Sequence, residues 1–405
     1  MIAMRLIFLC IVPALVLFGC TGISPGFFEG TNPLPKQMAS RQILVTLPTN
    51  LKADWGSIRE ELAQNNDILK SGEFPLPSIG VDCLVYQVPD QEDLKKVVQQ
   101  LRNDSRVGLV QENQVFEGLQ SGKNEAFADM SYAPKLTHAD TAHSMATGKG
   151  VRLAIVDTGA EDNHPDLKDQ TLETGNFVDG STYDFRHDRH GTAIAGVILA
   201  NANDGIGING MAPNAEVSIL KACWYPDALN AKAKCSSWSL AKALDAAIRE
   251  NSQIINLSLA GPPDELLQKL LETAHKRGIN VVAAALERQE KPGFPAELPF
   301  VIPVISTGPD GRITQPFWLS QYPDVAVAPG VDILTTVPND GYDFVSGSSL
   351  AAAHVSGIIA LLLEVKPNLS PTQVKELILR NGKERSIGIL QVLDAWAILQ
   401  AARKS

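Results

Sequence analysis

The chain has no run of lysine or arginine and a formal net charge of −10, so it lacks the basic surface that nucleic acid selects. No cysteine and histidine pairs have the spacing of a zinc site. No internal repeat appears. The apolar run at residues 6–18, preceded by Arg5, is too short to span a bilayer comfortably but has the length of a signal-peptide core. What is present is enough for a packed protein: 44% hydrophobic and 20% charged residues exclude wholesale disorder. A length of 405 residues calls for two domains plus a leader.

Only five cysteines occur, and they sort by position. Cys10 lies in the leader. Leu17-Phe18-Gly19-Cys20 resembles a bacterial lipobox, which implies cleavage after residue 19 and a diacylated Cys20 as the new N-terminus. Thr21, which is not acidic, then favours the outer membrane in a Gram-negative cell. An ordinary signal peptide or an uncleaved anchor is the alternative. Cys223 and Cys235 bracket a polar loop in an oxidising compartment and are expected to pair, a closure that contributes about 3 kcal/mol when unstrained. Cys83 sits in an apolar strand pattern and reads as a buried free thiol.

Residues 21–41 are rich in Gly, Pro, Ser and Thr and read as a tether. Residues 42–117 then show an apolar run at 43–47 and a helical face of Trp55, Ile58 and Leu62 after Asp54, a candidate N-cap. A second strand is expected at 81–88. Asp90 is a candidate cap for a helix carrying Leu94, Val97, Val98 and Leu101, and 107–110 closes the unit. This βαβαβ reading predicts a small α+β domain of ferredoxin-like type with helices on one face. Residues 118–135 read as a linker. Beyond them, short apolar runs at 151–156, 217–220, 254–257, 281–285 and 301–305 alternate with helical stretches at 240–249 and 265–277. Ser370-Pro371-Thr372-Gln373 is a capping-box start. Residues 136–405 are thus expected to form a three-layer α/β domain with a mostly parallel sheet.

Three motifs stand at element ends: Asp157-Thr158-Gly159 after a strand, His190-Gly191-Thr192 opening a helix, and Ser346-Gly347-Ser348-Ser349 opening another. Each alone is a weak signal, since a turn, a loop or a helix cap would account for it. Together they supply a nucleophile, a base and a carboxylate. A serine hydroxyl attacks only when an imidazole takes its proton, and a buried carboxylate fixes the imidazole tautomer.

At these residues the sequence resembles the subtilisin-like proteases, which share the chain order Asp, His, Ser. The resemblance covers roughly 136–395. It includes Ile155-Val156-Asp157-Thr158-Gly159, His164-Pro165-Asp166-Leu167, His190-Gly191-Thr192, Gly210-Met211-Ala212-Pro213, Gly293-Phe294-Pro295-Ala296 and Gly347-Ser348-Ser349-Leu350-Ala351. It implies a serine endopeptidase with catalytic Asp157, His190 and Ser349, and polypeptide substrates lying along Ser258, Leu259 and Ala260. Region 42–117 is similar to the family's propeptides, which implies an intramolecular inhibitor and hence a lipid-anchored zymogen in the cell envelope, released on maturation. Asp166 and Asp204 match positions of a structural calcium site in the family; a Gly-rich turn with a solvated aspartate is the alternative. No cofactor is implied for the chemistry.

The chain departs from the family after the 281–285 strand. Leu286 replaces a glycine at the primary specificity pocket, and Glu287 replaces the asparagine that donates to the oxyanion. Losing such a donor costs about 10²–10³ in rate. An ionised Glu287 would repel the oxyanion, whereas a protonated one would donate to it and lower the pH optimum. Two alternatives to an active enzyme of this kind follow from the departure: a catalytically impaired, peptide-binding scaffold, and a protease using Glu287 as base. His190 already fills the role of base.

Overall fold

Two helices on one face of a four-stranded antiparallel sheet form the unit at residues 42–112. Its elements are β1 (Gln42–Pro48), α1 (Trp55–Asn65), β2 (Leu69–Leu76), β3 (Val81–Gln87), α2 (Leu94–Arg102) and β4 (Val110–Glu112). The strand order β2-β3-β1-β4 makes this a split βαββαβ arrangement. Strand β2 is a correction to the βαβαβ expectation. Gly72 and Pro75 break its apolar alternation, and the β2–β3 register shifts between Lys70 and Gly72. Both expected caps also differ. Asp93, not Asp90, accepts the Lys95 and Lys96 N–H groups, while Asp54 ends a 3₁₀ turn and makes no side-chain cap bond.

The structure, a computed structural model, describes residues 41–118, 131–168, 170, 172–180, 185–202, 207–226, 232–313, 316–381 and 390–404. The lipidation residue Cys20, the tether up to residue 40 and Asp204 lie outside the described residues. So does most of the 118–135 linker, which is described only at its two ends.

Successive residues of a strand face opposite sides of a sheet, and the small sheet uses both. Ile43, Val45 and Leu47 pack on Ile58, Leu62, Val97 and Leu101. Leu44, Phe74, Cys83 and Val85 face the larger domain, joining Trp238 and Leu240 in one apolar cluster. The Phe74 and Trp238 rings meet edge-on, 6.0 Å between centroids. Cys83 is a buried free thiol, its pKa pushed up by burial.

After β5 (Val115–Gly118), the chain resumes at α3 (Tyr132–Leu136) and α4 (Ala139–Ala142). Then come β6 (Arg152–Asp157), β7 (Leu172–Asn176), α5 (Arg189–Leu199), β8 (Glu216–Lys221), β9 (Cys223–Trp224), β10 (Lys234–Ser236) and α6 (Ser237–Arg249). Next are β11 (Ile254–Leu257), β12 (Leu259–Ala260), α7 (Glu265–Lys276), β13 (Asn280–Ala284), β14 (Ile302–Thr307) and β15 (Ala326–Pro329). A hairpin of β16 (Ile333–Val337) and β17 (Gly341–Val345) precedes α8 (Ser348–Val365), α9 (Pro371–Asn381) and α10 (Ala395–Lys404).

Seven strands form one parallel sheet in the order β15-β14-β13-β11-β6-β8-β7. Helices α6 and α7 cover one face, and α5 and α8 cover the other. The three-layer α/β expectation holds, and the five apolar runs are β6, β8, β11, β13 and β14. Ser370 and Gln373 form the expected reciprocal cap, with N–H donations of 2.9 and 3.4 Å. Cys223 and Cys235 are disulfide-bonded across β9 and β10.

Candidate active site

Parallel strands carry ligand-facing groups at their carboxyl ends, and Asp157 stands at the end of β6. Its Oδ1 accepts from His190 Nδ1 at 2.6 Å and from the Thr158 N–H at 2.6 Å. Both side chains are buried. An Nδ1 that donates to a carboxylate leaves the Nε2 lone pair free, and Nε2 is buried with no hydrogen-bond partner among the described residues.

Glycine makes this approach feasible. A Cβ on Gly191 would lie 2.4 Å from the Gly159 oxygen and 2.7 Å from the Thr158 oxygen, so any larger residue would push α5 off the turn after β6. The Gly191 N–H donates to Thr158 Oγ1 at 2.8 Å, and the His190 N–H donates to the Tyr225 hydroxyl at 3.0 Å. Both satisfy amides at a helix start, where no intrahelical acceptor exists.

Ser349 is the second residue of α8, and its hydroxyl donates to the Ser258 carbonyl at 3.1 Å. Ser258 Oγ in turn donates to the Ser349 carbonyl at 3.0 Å and receives Asn256 Nδ2 at 2.9 Å. Ser348 Oγ donates to the Ala285 carbonyl at 3.0 Å. The N-terminus of α8, with the positive end of its dipole, is therefore fastened to the ends of β11 and β13.

A second, four-stranded sheet runs beside these groups in the order β12-β5-β10-β9. Strand β5 lies between β10 and β12, antiparallel to both, with Glu117 opposite Lys234 and Ala260, and Gly118 opposite Leu259. Its backbone thus occupies the lane between two rails, of which the Leu259–Ala260 rail was expected to hold substrate. Leu286 packs toward Gly293: at φ +81° that glycine admits no side chain, and a Cβ there would lie 2.7 Å from Leu286 Cδ1 and 3.6 Å from the Ala260 methyl. Trp318 Nε1 pins the Leu286 carbonyl at 2.8 Å. Glu287 does not stand free: its Oε1 accepts from Ser306, which sits on β14.

Asp166 lies away from this edge, where its Oδ2 accepts the Ile208 N–H at 2.9 Å. Among the described residues no group of three or more His, Cys, Asp or Glu side chains gathers as a metal site. His164, His354 and His143 hydrogen-bond backbone carbonyls of Gly341, Leu350 and Met211.

Residues 148–393 match the Subtilase family. The chain belongs to that family. It is 35% identical over 254 residues to the major intracellular serine protease of Bacillus subtilis (strain 168), covering 59% of this chain and 77% of that protein. It is 31% identical over 273 residues to the thermophilic serine proteinase of Bacillus sp. (strain AK1), covering 67% of this chain and 66% of that one. Its fold is like that of fervidolysin from Fervidobacterium pennivorans, a keratinolytic enzyme related to subtilisin. There the TM-score is 0.66 at 22% identity, covering 89% of this chain and 60% of that one.

In this subtilase the sequence motifs led to Asp157, His190 and Ser349 but passed over Tyr225, Asp188 and Lys221. Tyr225 follows the Cys223 disulfide and carried no pattern of its own. Lys221 follows the apolar run at 217–220 and belongs to none of the motifs, yet it is fully buried.

Proposed function

We propose that the chain is a serine endopeptidase made as a lipid-anchored zymogen. The observation that carries the catalytic reading is the buried Asp157–His190 bond, which leaves Nε2 as an open acceptor able to take the proton of a serine. On substrate binding the Ser349 hydroxyl turns from the Ser258 carbonyl to Nε2, gives up its proton and attacks the peptide carbonyl. Asp157 holds the imidazolium that results, and the amides at the start of α8 receive the oxyanion. His190 then returns the proton to the leaving amine.

The zymogen reading is supported by β5, which continues from the 42–112 unit into the lane between β10 and β12. A peptide in that lane satisfies both rails as a substrate strand would. Residues 42–117 act on this reading as propeptide and inhibitor. Residues 1–20 act as a lipoprotein signal with Cys20 acylated, and Asp166 with Asp204 as the residues that would hold a structural calcium. Leu286 narrows the primary pocket and favours small residues there.

One observation favours the scaffold reading: Glu287, at the position the resemblance assigns to the oxyanion's amide donor, carries an acceptor held by Ser306 instead. Labelling the full chain with a fluorophosphonate probe separates the two. The wild type is expected to label while Ser349→Ala and His190→Ala do not, since nucleophile and base act as a unit. A folded, processed wild type that stays unlabelled would establish the scaffold.

A further inference from the structure

Beside the Asp157–His190 pair lies a second buried pair that the proposed chemistry does not use. Lys221 ends β8 with no exposed surface, and its ammonium contacts Asp188 Oδ2; Asp188 is itself only 4% exposed. Asp188 Oδ2 also accepts the Gly159 N–H at 2.9 Å, and the Asp188 carbonyl accepts Thr192 Oγ1 at 2.7 Å. Asp188 directly precedes α5, so one carboxylate joins three elements. These are the turn after β6 that carries Asp157, the end of β8, and the helix start that carries His190. The β6–β8 register sets Lys221 opposite Asp157 itself, whose Oδ2 is buried without a hydrogen-bond partner among the described residues.

A buried ion pair is weak as a source of stability, because desolvation offsets most of its attraction; its use lies in specifying geometry. We infer that Asp188 and Lys221 are positioning residues that hold the carboxylate and imidazole of the catalytic pair in register and balance the charge around them. The inference rests on the peptidase reading above. Burial raises the Asp188 carboxyl above its ordinary value, and the Lys221 ammonium and the Gly159 N–H oppose that rise. The other titratable or charged groups around it are Asp157 from β6, His190 and Arg189 from α5, and Tyr225 after β9, whose hydroxyl lies in the field of Asp157, Asp188 and Arg189.

The test measures kcat and KM on a fluorogenic peptide, per site titrated with a fluorophosphonate, using self-processed full chain. The apolar double variant Lys221→Met/Asp188→Leu leaves no lone charge and should fold. It loses the tie to Gly159, so kcat should fall about tenfold or more with KM within about twofold, as for a small misplacement of reacting groups. In Asp188→Asn, which removes a negative charge near the imidazolium, the acid limb of the kcat profile should move to lower pH. In Lys221→Met it should move to higher pH. A double variant with wild-type kcat overturns the inference while the wild type remains an enzyme, even if the single variants fail to fold. An inactive wild type overturns the peptidase reading and this inference with it.

Discussion

Ser306 donates both its backbone N–H and its hydroxyl to Glu287 Oε1, each at 2.7 Å. The site of this bond matters because Ser306 packs beside the start of α8: a Cβ on Gly330 would lie 2.6 Å from Ser306 Cβ and 2.8 Å from the Gly347 oxygen. A backbone N–H can only donate, so Oε1 is held as an acceptor; on the proposed function this carboxylate takes the place of the oxyanion's amide donor.

Glu287→Gln should therefore raise kcat. The variant keeps an oxygen for Ser306, removes the negative charge and adds an amide donor. The expected gain at neutral pH is about tenfold, less than the full worth of an oxyanion donor, with KM little changed. Steady-state kinetics on a fluorogenic peptide measures it. An unchanged rate and pH profile would place Glu287 outside the oxyanion's field.

The motif residues were legible in the sequence because their chemistry demands particular types at element ends: Asp157 after an apolar strand, and His190-Gly191 and Ser349 at helix starts. The central parallel strands were legible because burial on both faces leaves continuous apolar runs. Strand β2 was not, since Gly72, Pro75 and its polar residues match no period. Asp93 was hidden behind Asp90, as both precede the same apolar face. Lys221 was beyond reach for a different reason: only the fold reveals that Asp188 meets it.

His354 should make stability depend on pH in the acid range. Its ring is buried in α8 with Nδ1 against the Leu350 carbonyl at 2.8 Å, and burial lowers its pKa from 6.5 to about 4. The unfolded chain protonates this histidine near pH 6.5 while the folded one resists until about 4. Stability is thus full above pH 6.5 and falls as pH drops toward 4, by on the order of 3 kcal/mol. Urea denaturation at several pH values, in the Ser349→Ala background to prevent self-digestion, should show a shallower slope for His354→Gln. Equal slopes would refute the assignment.

Cys83 offers a reporter of how the 42–112 unit docks on the larger domain. Its thiol lies on the face of the small sheet that packs against the larger domain, where burial raises its pKa and shields it. Thiolate, not thiol, reacts with alkylating agents. Peptide mapping after iodoacetamide treatment should find Cys83 unmodified in full-length Ser349→Ala and modified once the 42–117 segment separates. Rapid modification in the uncut chain would mean the two units are not docked in solution.

Maturation by self-cleavage should release the peptidase from its anchor. On the proposed function the acylated Cys20 lies before the 42–117 unit and the nucleophile after it, so any cut in the 118–135 linker separates enzyme from lipid. The β5–β12 register narrows the position. Gly118 faces Leu259, and a substrate strand in that register carries its next residue opposite Ser258, the residue whose carbonyl accepts the Ser349 hydroxyl. For the chain acting on itself, this is the bond after Leu119. Fractionated cells, blotted with an antibody to the C-terminal domain, should show a soluble fragment whose N-terminal sequencing begins at Gln120 or within a residue or two of it. Ser349→Ala should show only membrane-bound full-length chain, because no nucleophile remains to make the cut. A slow Glu287-impaired enzyme would instead leave most wild-type chain anchored, and Glu287→Gln should then increase the soluble fraction. A wild type that stays entirely full-length and membrane-bound would sink the release mechanism. The same fragment in Ser349→Ala would assign the cut to another protease.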